Sequence, residues 1–185
     1  SSAELYSIDN NTWEEDLPDM PKGPCDDPCA VSTPGSEIFI VGGRTCSMDV
    51  FDIGPSLSWK NPTYLRDMPE VRRYAAAVMV KKKYFVVIGG IDKDYAFSAS
   101  CLIYDIWCNL WSSTPVSMDM IDVCHHHTAG VLDGKIVVAG GFGAGSQRFA
   151  GQLSGPVREM VHQAAAVGGA PSGPERSPAF VAHHR

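Results

Sequence analysis

Little in this chain points to chemistry. Only 19% of its 185 residues are charged, and 15 Lys and Arg fall short of 21 Asp and Glu, for a formal charge of -6. A deficit of basic residues argues against nucleic acid or an acidic membrane surface as partner, since both are held chiefly by Lys and Arg. No apolar run approaches the roughly 20 residues that a membrane-spanning helix needs. The six cysteines, Cys25, Cys29, Cys46, Cys101, Cys108 and Cys124, include no C-x-x-C pair. They are too sparse for a disulfide scaffold, which leaves small thiols in a reducing, cytoplasmic setting. No glycine-rich phosphate loop, Ser/His/Asp order or paired-carboxylate motif is recognisable, so neither a catalytic residue nor a cofactor is expected. Asp26-Asp27 reads as a solvated loop pair. With 44% hydrophobic residues the chain can still bury a core.

What the sequence does have is repetition. Glycine pairs stand at Gly42-Gly43, Gly89-Gly90 and Gly140-Gly141, at intervals of 47 and 51 residues. Each pair closes a β-branched or aromatic run: Ile38 to Val41, Tyr84 to Ile88, and Ile136 to Ala139. Another short apolar run precedes each, and the connections are Pro34 to Glu37, Lys81 to Lys83, and Asp133-Gly134. The last is a strong hairpin signal, because both central residues of a type I′ turn need positive φ. An aromatic residue and a tryptophan recur in step, as Tyr6 with Trp13, Phe51 with Trp59, and Tyr104 with Trp111. Links carrying Met20-Pro21, Met68-Pro69 and Met118-Asp119-Met120 recur as well. A period of roughly 50 residues indicates an array of like units.

These residues resemble the kelch repeat. Its signature is Gly-Gly closing a hydrophobic strand, followed by a Tyr-Asp-x-x-x-Asn-x-Trp segment, and Tyr104-Asp105 with Asn109 and Trp111 fits without a gap. Tyr6, Asn11 and Trp13 fit apart from Ser7 at the Asp position, and Phe51-Asp52 with Trp59 fits with one inserted residue. The resemblance covers residues 3–142 and implies an all-β fold, a fragment of a β-propeller built from four-stranded antiparallel blades. A half blade is expected at 3–16, whole blades at 29–61 and 73–113, and a further half blade at 126–141. That makes about three blade equivalents where closed propellers use four to eight, so the sequence reads as part of a larger propeller or as a truncated, nonfunctional product. Further blades would come from a missing segment or another chain. Residues 143–185, rich in Gly, Ala, Ser and Pro, show no strand pattern and are expected to be mostly disordered, with one short helix from Pro156 to Val167.

The motif residues themselves, Gly42, Gly43, Gly89, Gly90, Gly140, Gly141 and the Tyr, Phe, Asp105 and Trp positions, read as architecture. Cys124-His125-His126-His127 is the best metal-ligand cluster, but alternation along a strand lets at most alternate members, such as His125 and His127, share one ion, and no metal is assigned. Galactose-oxidase-like copper-radical enzymes share the kelch-type propeller, so a fragment of such an oxidase is the alternative reading, although Tyr64, Tyr74, Tyr95 and the histidines match none of their motifs. The resemblance implies a protein-binding module, a substrate adaptor of ubiquitin ligases or a scaffold, although no BTB or F-box segment is visible. Its partner, a protein of unknown identity, would touch loops near Arg44 to Ser47, Tyr64 to Arg73, Ile91 to Ser98 and Ser113 to His125. Arg44, Arg72, Arg73, Asp92, Tyr95 and His125 are the candidate contact residues. Arg72 and Arg73 suit a bidentate grip on acidic side chains, or else ion pairs with Asp67 or Glu70.

Overall fold

The computed structural model describes residues 3–14, 17–22, 25–55, 57–60, 63–116 and 119–144, with the backbone of 148–152. The chain is all-β and its sheets are antiparallel, with no α-helix among the described residues. A hairpin of β1 (Leu5–Ser7) and β2 (Thr12–Glu14) comes first. A first sheet holds β3 (Pro28–Ser32), β4 (Glu37–Gly42), β5 (Met48–Asp52) and β6 (Ser58–Lys60) in chain order. A second sheet repeats that order with β7 (Ala76–Val80), β8 (Tyr84–Ile88), β9 (Cys101–Asp105) and β10 (Leu110–Ser113). The third has β11 (His125–Leu132), β12 (Lys135–Phe142) and β13 (Arg148–Gln152).

Alternation in the strands explains how the sheets stack. On β8, Phe85 and Val87 turn to one side, where they pack with Phe39, Val41 and Val50 of the first sheet. Val86 and Ile88 turn to the other, where they meet Ile136 and Val138 of the third. Both faces of the second sheet are therefore buried, which is why Cys101, Leu102, Ile103 and Tyr104 form a continuous apolar run. The innermost strands follow suit, with β3 against β7 and β7 against β11. An aromatic column fills the outer part of the first junction: Phe39 and Phe85 lie 5.4 Å apart, and Phe85 and Tyr104 4.9 Å.

The recurrent motif residues hold the links down. Trp111 Nε1 donates to Arg66 O at 2.8 Å and Trp59 Nε1 to Pro18 O at 2.7 Å, so each tryptophan anchors the link that leads into its own sheet. The hydroxyl of Tyr104 donates to Asn109 Oδ1 at 2.7 Å, and Asn109 in turn donates to Tyr64 O. Asp105 Oδ1 accepts from the amides of Trp107 and Cys108, shaping the turn between β9 and β10.

Asp133 and Gly134 both have positive φ, as the hairpin reading requires. The second hairpin obtains the same conformation from Lys81 and Lys82, at φ of 51° and 57°, where no turn-forming residue signals it. One expectation fails near the end of the described chain. The tail was read as lacking strands, yet β13 pairs with β12 through Val137↔Gln152 to Phe142↔Arg148. The physical reason is that the free edge of β12 offers backbone donors and acceptors to any adjacent segment, whatever its composition. The helix expected over 156–167 lies outside the described residues.

The glycine pairs are where sheets approach most closely. A Cβ on Gly42 would stand 2.6 Å from Arg72 O, and one on Gly89 2.6 Å from Cys124 O, whereas one on Gly140 would meet nothing within 4 Å. All three have left-handed φ. Gly140→Ala should therefore cost only the backbone term, about 1 kcal/mol. Gly89→Ala adds a steric clash and should cost about 3 kcal/mol or more. Urea unfolding of the two variants checks the difference, and equal losses would contradict the packing described.

Candidate functional site

At the glycine-pair ends of the sheets, the segments leading into β3, β7 and β11 come together with the loops that leave β4 and β8. Three residues there share one backbone conformation: Asp27, Tyr74 and His126 have φ of 59°, 54° and 56°. Their backbones form a ladder across the sheets, with Tyr74 N donating to Asp27 O at 3.2 Å and His126 N to Tyr74 O at 2.9 Å. Side chains of this ladder and of the adjacent loops build a rim.

Arg73 is its centre. Its guanidinium pairs with Asp27 at 3.0 Å and lies 5.2 Å from the Tyr74 ring and 5.5 Å from the Tyr95 ring. Burial pushes the Asp27 carboxyl up, but hydrogen bonds from Arg73 and Tyr74 outweigh it and hold the group below the usual carboxylate range. Tyr74 stacks on His126 with ring centroids 3.8 Å apart, and Phe97 stacks on His125 at 4.8 Å. Phe142 lies 6.0 Å from His125. Tyr95 is 73% exposed, and Phe97 and Phe142 are also exposed. Asp92 shapes the Tyr95 loop, because its Oδ1 accepts from the amides of Asp94 and Ala96.

Of the residues singled out in the sequence, Arg73, Tyr95 and His125 are thus brought together, and Asp92 supports them. Arg44 lies on the neighbouring loop, exposed and paired with Asp26 at 3.0 Å. Asp26 and Asp27 consequently serve two different arginines and form no dyad. Arg72 is separate. Its side chain is buried, donating to Gly89 O at 3.1 Å, to Ser100 Oγ and to Glu70, the last an ion pair the sequence had suggested. It clamps the second sheet from within.

The histidine run departs from simple alternation. Positive φ at His126 turns its ring onto the same side as that of His125, and their Nδ1 atoms are in hydrogen-bond contact. His127 points into the core instead. His125 stacks on Phe97, whereas the His127 ring lies beside Gly89. Among the described residues no three His, Cys, Asp or Glu side chains gather as metal ligands. Neither Tyr74 nor His126 was legible as a rim residue, because the signal lies in backbone conformation. Phe97 lies within the loop from Ile91 to Ser98 that the sequence singled out. The only sequence clue to Tyr74 and His126 is their similar offset, 15 and 14 residues ahead of Gly89 and Gly140.

Beside Arg44 is a cleft of about 280 Å³ with Lys22, Asp26, Ser47 and Asp49 among its walls. The Asp49 carboxyl is buried and its Oδ1 has no hydrogen-bond partner within the protein. Burial raises its proton affinity, Lys22 opposes that, and Asp67 adds to it. All six cysteines are unpaired, and burial pushes Cys29 and Cys101 up to about 12. No helix among the described residues is long and apolar enough to cross a membrane. No protein-family model matches the chain.

Burial depresses the proton affinity of His125, with His126 adding to the effect. It does the same at His127, where the Ile88 backbone opposes it in part. An unfolded imidazole binds its proton near pH 6.5, so these two sites contribute stability that is complete above about pH 6.5 and lost as pH falls through their lower folded values. The urea midpoint should therefore drop on acidification from about pH 7.5 to about pH 5. Replacing both residues by Asn should flatten that dependence. Asp49, with a raised carboxyl, acts in the opposite sense, so Asp49→Asn should steepen it. A midpoint unchanged over this range would contradict the assignment.

Proposed function

We propose that this chain is a protein-binding module of the kelch-repeat type, acting as a scaffold or as a substrate adaptor, and that it holds its partner on the Arg73 rim. The observation that carries the reading is the convergence of Arg73, Tyr95, Phe97, His125 and His126, with Arg44 alongside, on loops anchored to stacked sheets. Exposed aromatics beside arginine are the residue types that dominate binding energy at interfaces. Loops fixed by a rigid framework lose little entropy when they bind. Arg44, exposed at the edge, supplies a charge suited to an acidic side chain on the partner. The mixed chemistry favours an extended segment that places an acidic residue near Arg44 and an apolar one on Tyr95 and Phe97. The ordered repeats in residues 3–142 and their recurrent Tyr, Asp, Asn and Trp contacts support the kelch reading.

Panning a displayed peptide library against the whole chain tests this reading. Enriched peptides should combine acidic and apolar residues, and both Tyr95→Ala and Arg44→Glu should weaken them roughly tenfold or more. Circular dichroism should show that the variants remain folded, since both side chains are exposed. Lack of enrichment, or equal affinity for parent and variants, would overturn the proposal.

A further inference from the structure

Among the described residues, the junction between the first and second sheets and that between the second and third are made in the same way. At the first, Gly43 N donates to Arg72 O at 2.9 Å and Tyr74 N to Asp27 O at 3.2 Å, while Met68 Cε lies 3.1 Å from the place of a Cβ on Gly42. At the second, Gly90 N donates to Cys124 O at 2.8 Å and His126 N to Tyr74 O at 2.9 Å, with Met120 Cε 2.6 Å from the corresponding place on Gly89. A following sheet therefore always brings a methionine, a backbone carbonyl and a left-handed residue to the glycine pair before it.

The third sheet presents the glycine side of that arrangement with no described residue set against it. A Cβ on Gly140 would meet no atom within 4 Å. Val137 is 40% exposed and Leu132 67%, and Thr128, Gly130 and Ala139 beside them are exposed as well. The first sheet presents the opposite side on its inner strands, where Pro28, Ala30 and Ser32 are exposed and Ile38 and Ile40 half-buried. Ahead of β3 stand the matching parts. Met20 precedes Cys25 much as Met68 precedes Arg72 and Met120 precedes Cys124, and Asp27 already has the left-handed φ of Tyr74 and His126.

We infer that the open face of the third sheet binds the open face of the first sheet of a second copy of this chain. In that contact Gly141 N faces Cys25 O of the second copy, Asp27 N of the second copy faces His126 O, and its Met20 covers Gly140. The occupant is another copy because this sequence carries both halves of the junction. Both surfaces are small and apolar, as the two internal junctions are, and leaving them in water is unfavourable. Because the two faces differ, the contact is heterologous and repeats into a ring or a row according to the angle between copies. The inference is independent of the Arg73 rim, which needs no second copy.

Sedimentation velocity on the whole chain tests it, using Ala30→Glu to block one face and Val137→Glu to block the other. The parent should form dimers or larger species, and each variant alone should sediment as a monomer. An equimolar mixture should restore a species of twice the monomer mass, since each variant retains the face that the other lacks. Thr128→Glu, exposed on the same side as Val137, replaces Val137→Glu if circular dichroism shows the latter unfolded. A monomeric parent, a variant that assembles like the parent, or a mixture that stays monomeric would each overturn the inference.

Discussion

The interaction on which this architecture depends is the bond between a glycine-pair amide and a carbonyl of the segment leading into the next sheet, Gly43 N to Arg72 O and Gly90 N to Cys124 O. Two conditions must hold at once for it to form. The chain must enter the left-handed region at the end of a buried strand, and no side-chain carbon can stand between the two backbones. Glycine alone meets both. A Cβ on Gly42 or Gly89 would sit closer to the facing carbonyl than real contacts allow, so the close approach and the residue type determine each other. Once that approach is fixed, the spacing of the sheets follows, and so does the burial of Phe85, Val87, Val86 and Ile88 on the two faces of β8.

This dependence explains what could be read from the sequence. Strands β3, β4, β7, β8, β11 and β12 were visible because apolar runs ending in Gly-Gly recur, and because the apolar side chains between the sheets pack on one another. The outer hairpins were visible through Tyr6 with Trp13, Phe51 with Trp59 and Tyr104 with Trp111, whose rings lie 4.9 to 5.1 Å apart in each case. What could not be read was set by backbone alone. Lys81 and Lys82 adopt left-handed φ because β7 and β8 must be joined in register, against their own preference. Strand β13 forms by pairing along the edge of β12, from Val137↔Gln152 to Phe142↔Arg148. Arg73, Tyr95 and His125 of the rim were legible, whereas Tyr74 and His126 escaped notice for the same reason, since Asp27, Tyr74 and His126 share a conformation but no chemistry.

The repeat also separates residues that look alike in sequence. Arg72 and Arg73 are adjacent and equally basic, yet one spans the interior to Gly89 O and the other lies between Asp27 and Tyr95. The left-handed residue at Tyr74 comes directly after them and sends the chain into β7. Arg72 and Arg73, successive residues ahead of that bend, leave in different directions, one toward its own sheet and one toward the loops. The same bend at His126 separates His127, in the core, from His125 at the surface. One conformational device, used three times, thus divides each approach segment into a residue that supports the sheets and a residue that faces outward.

That division bears on where recognition can evolve in such a chain. Gly42, Gly43, Gly89 and Gly90 tolerate almost no change, because a backbone carbonyl stands where a Cβ would go. The outward residue one position before each bend, Asp26, Arg73 or His125, is under no such constraint and differs in every repeat. Loops leaving the glycine pairs differ too, from the short turn at Arg44 to the longer one that presents Tyr95 and Phe97. Invariant backbone and variable side chains therefore meet at one end of the stack. A surface assembled there can change its chemistry residue by residue while the sheets beneath keep their register.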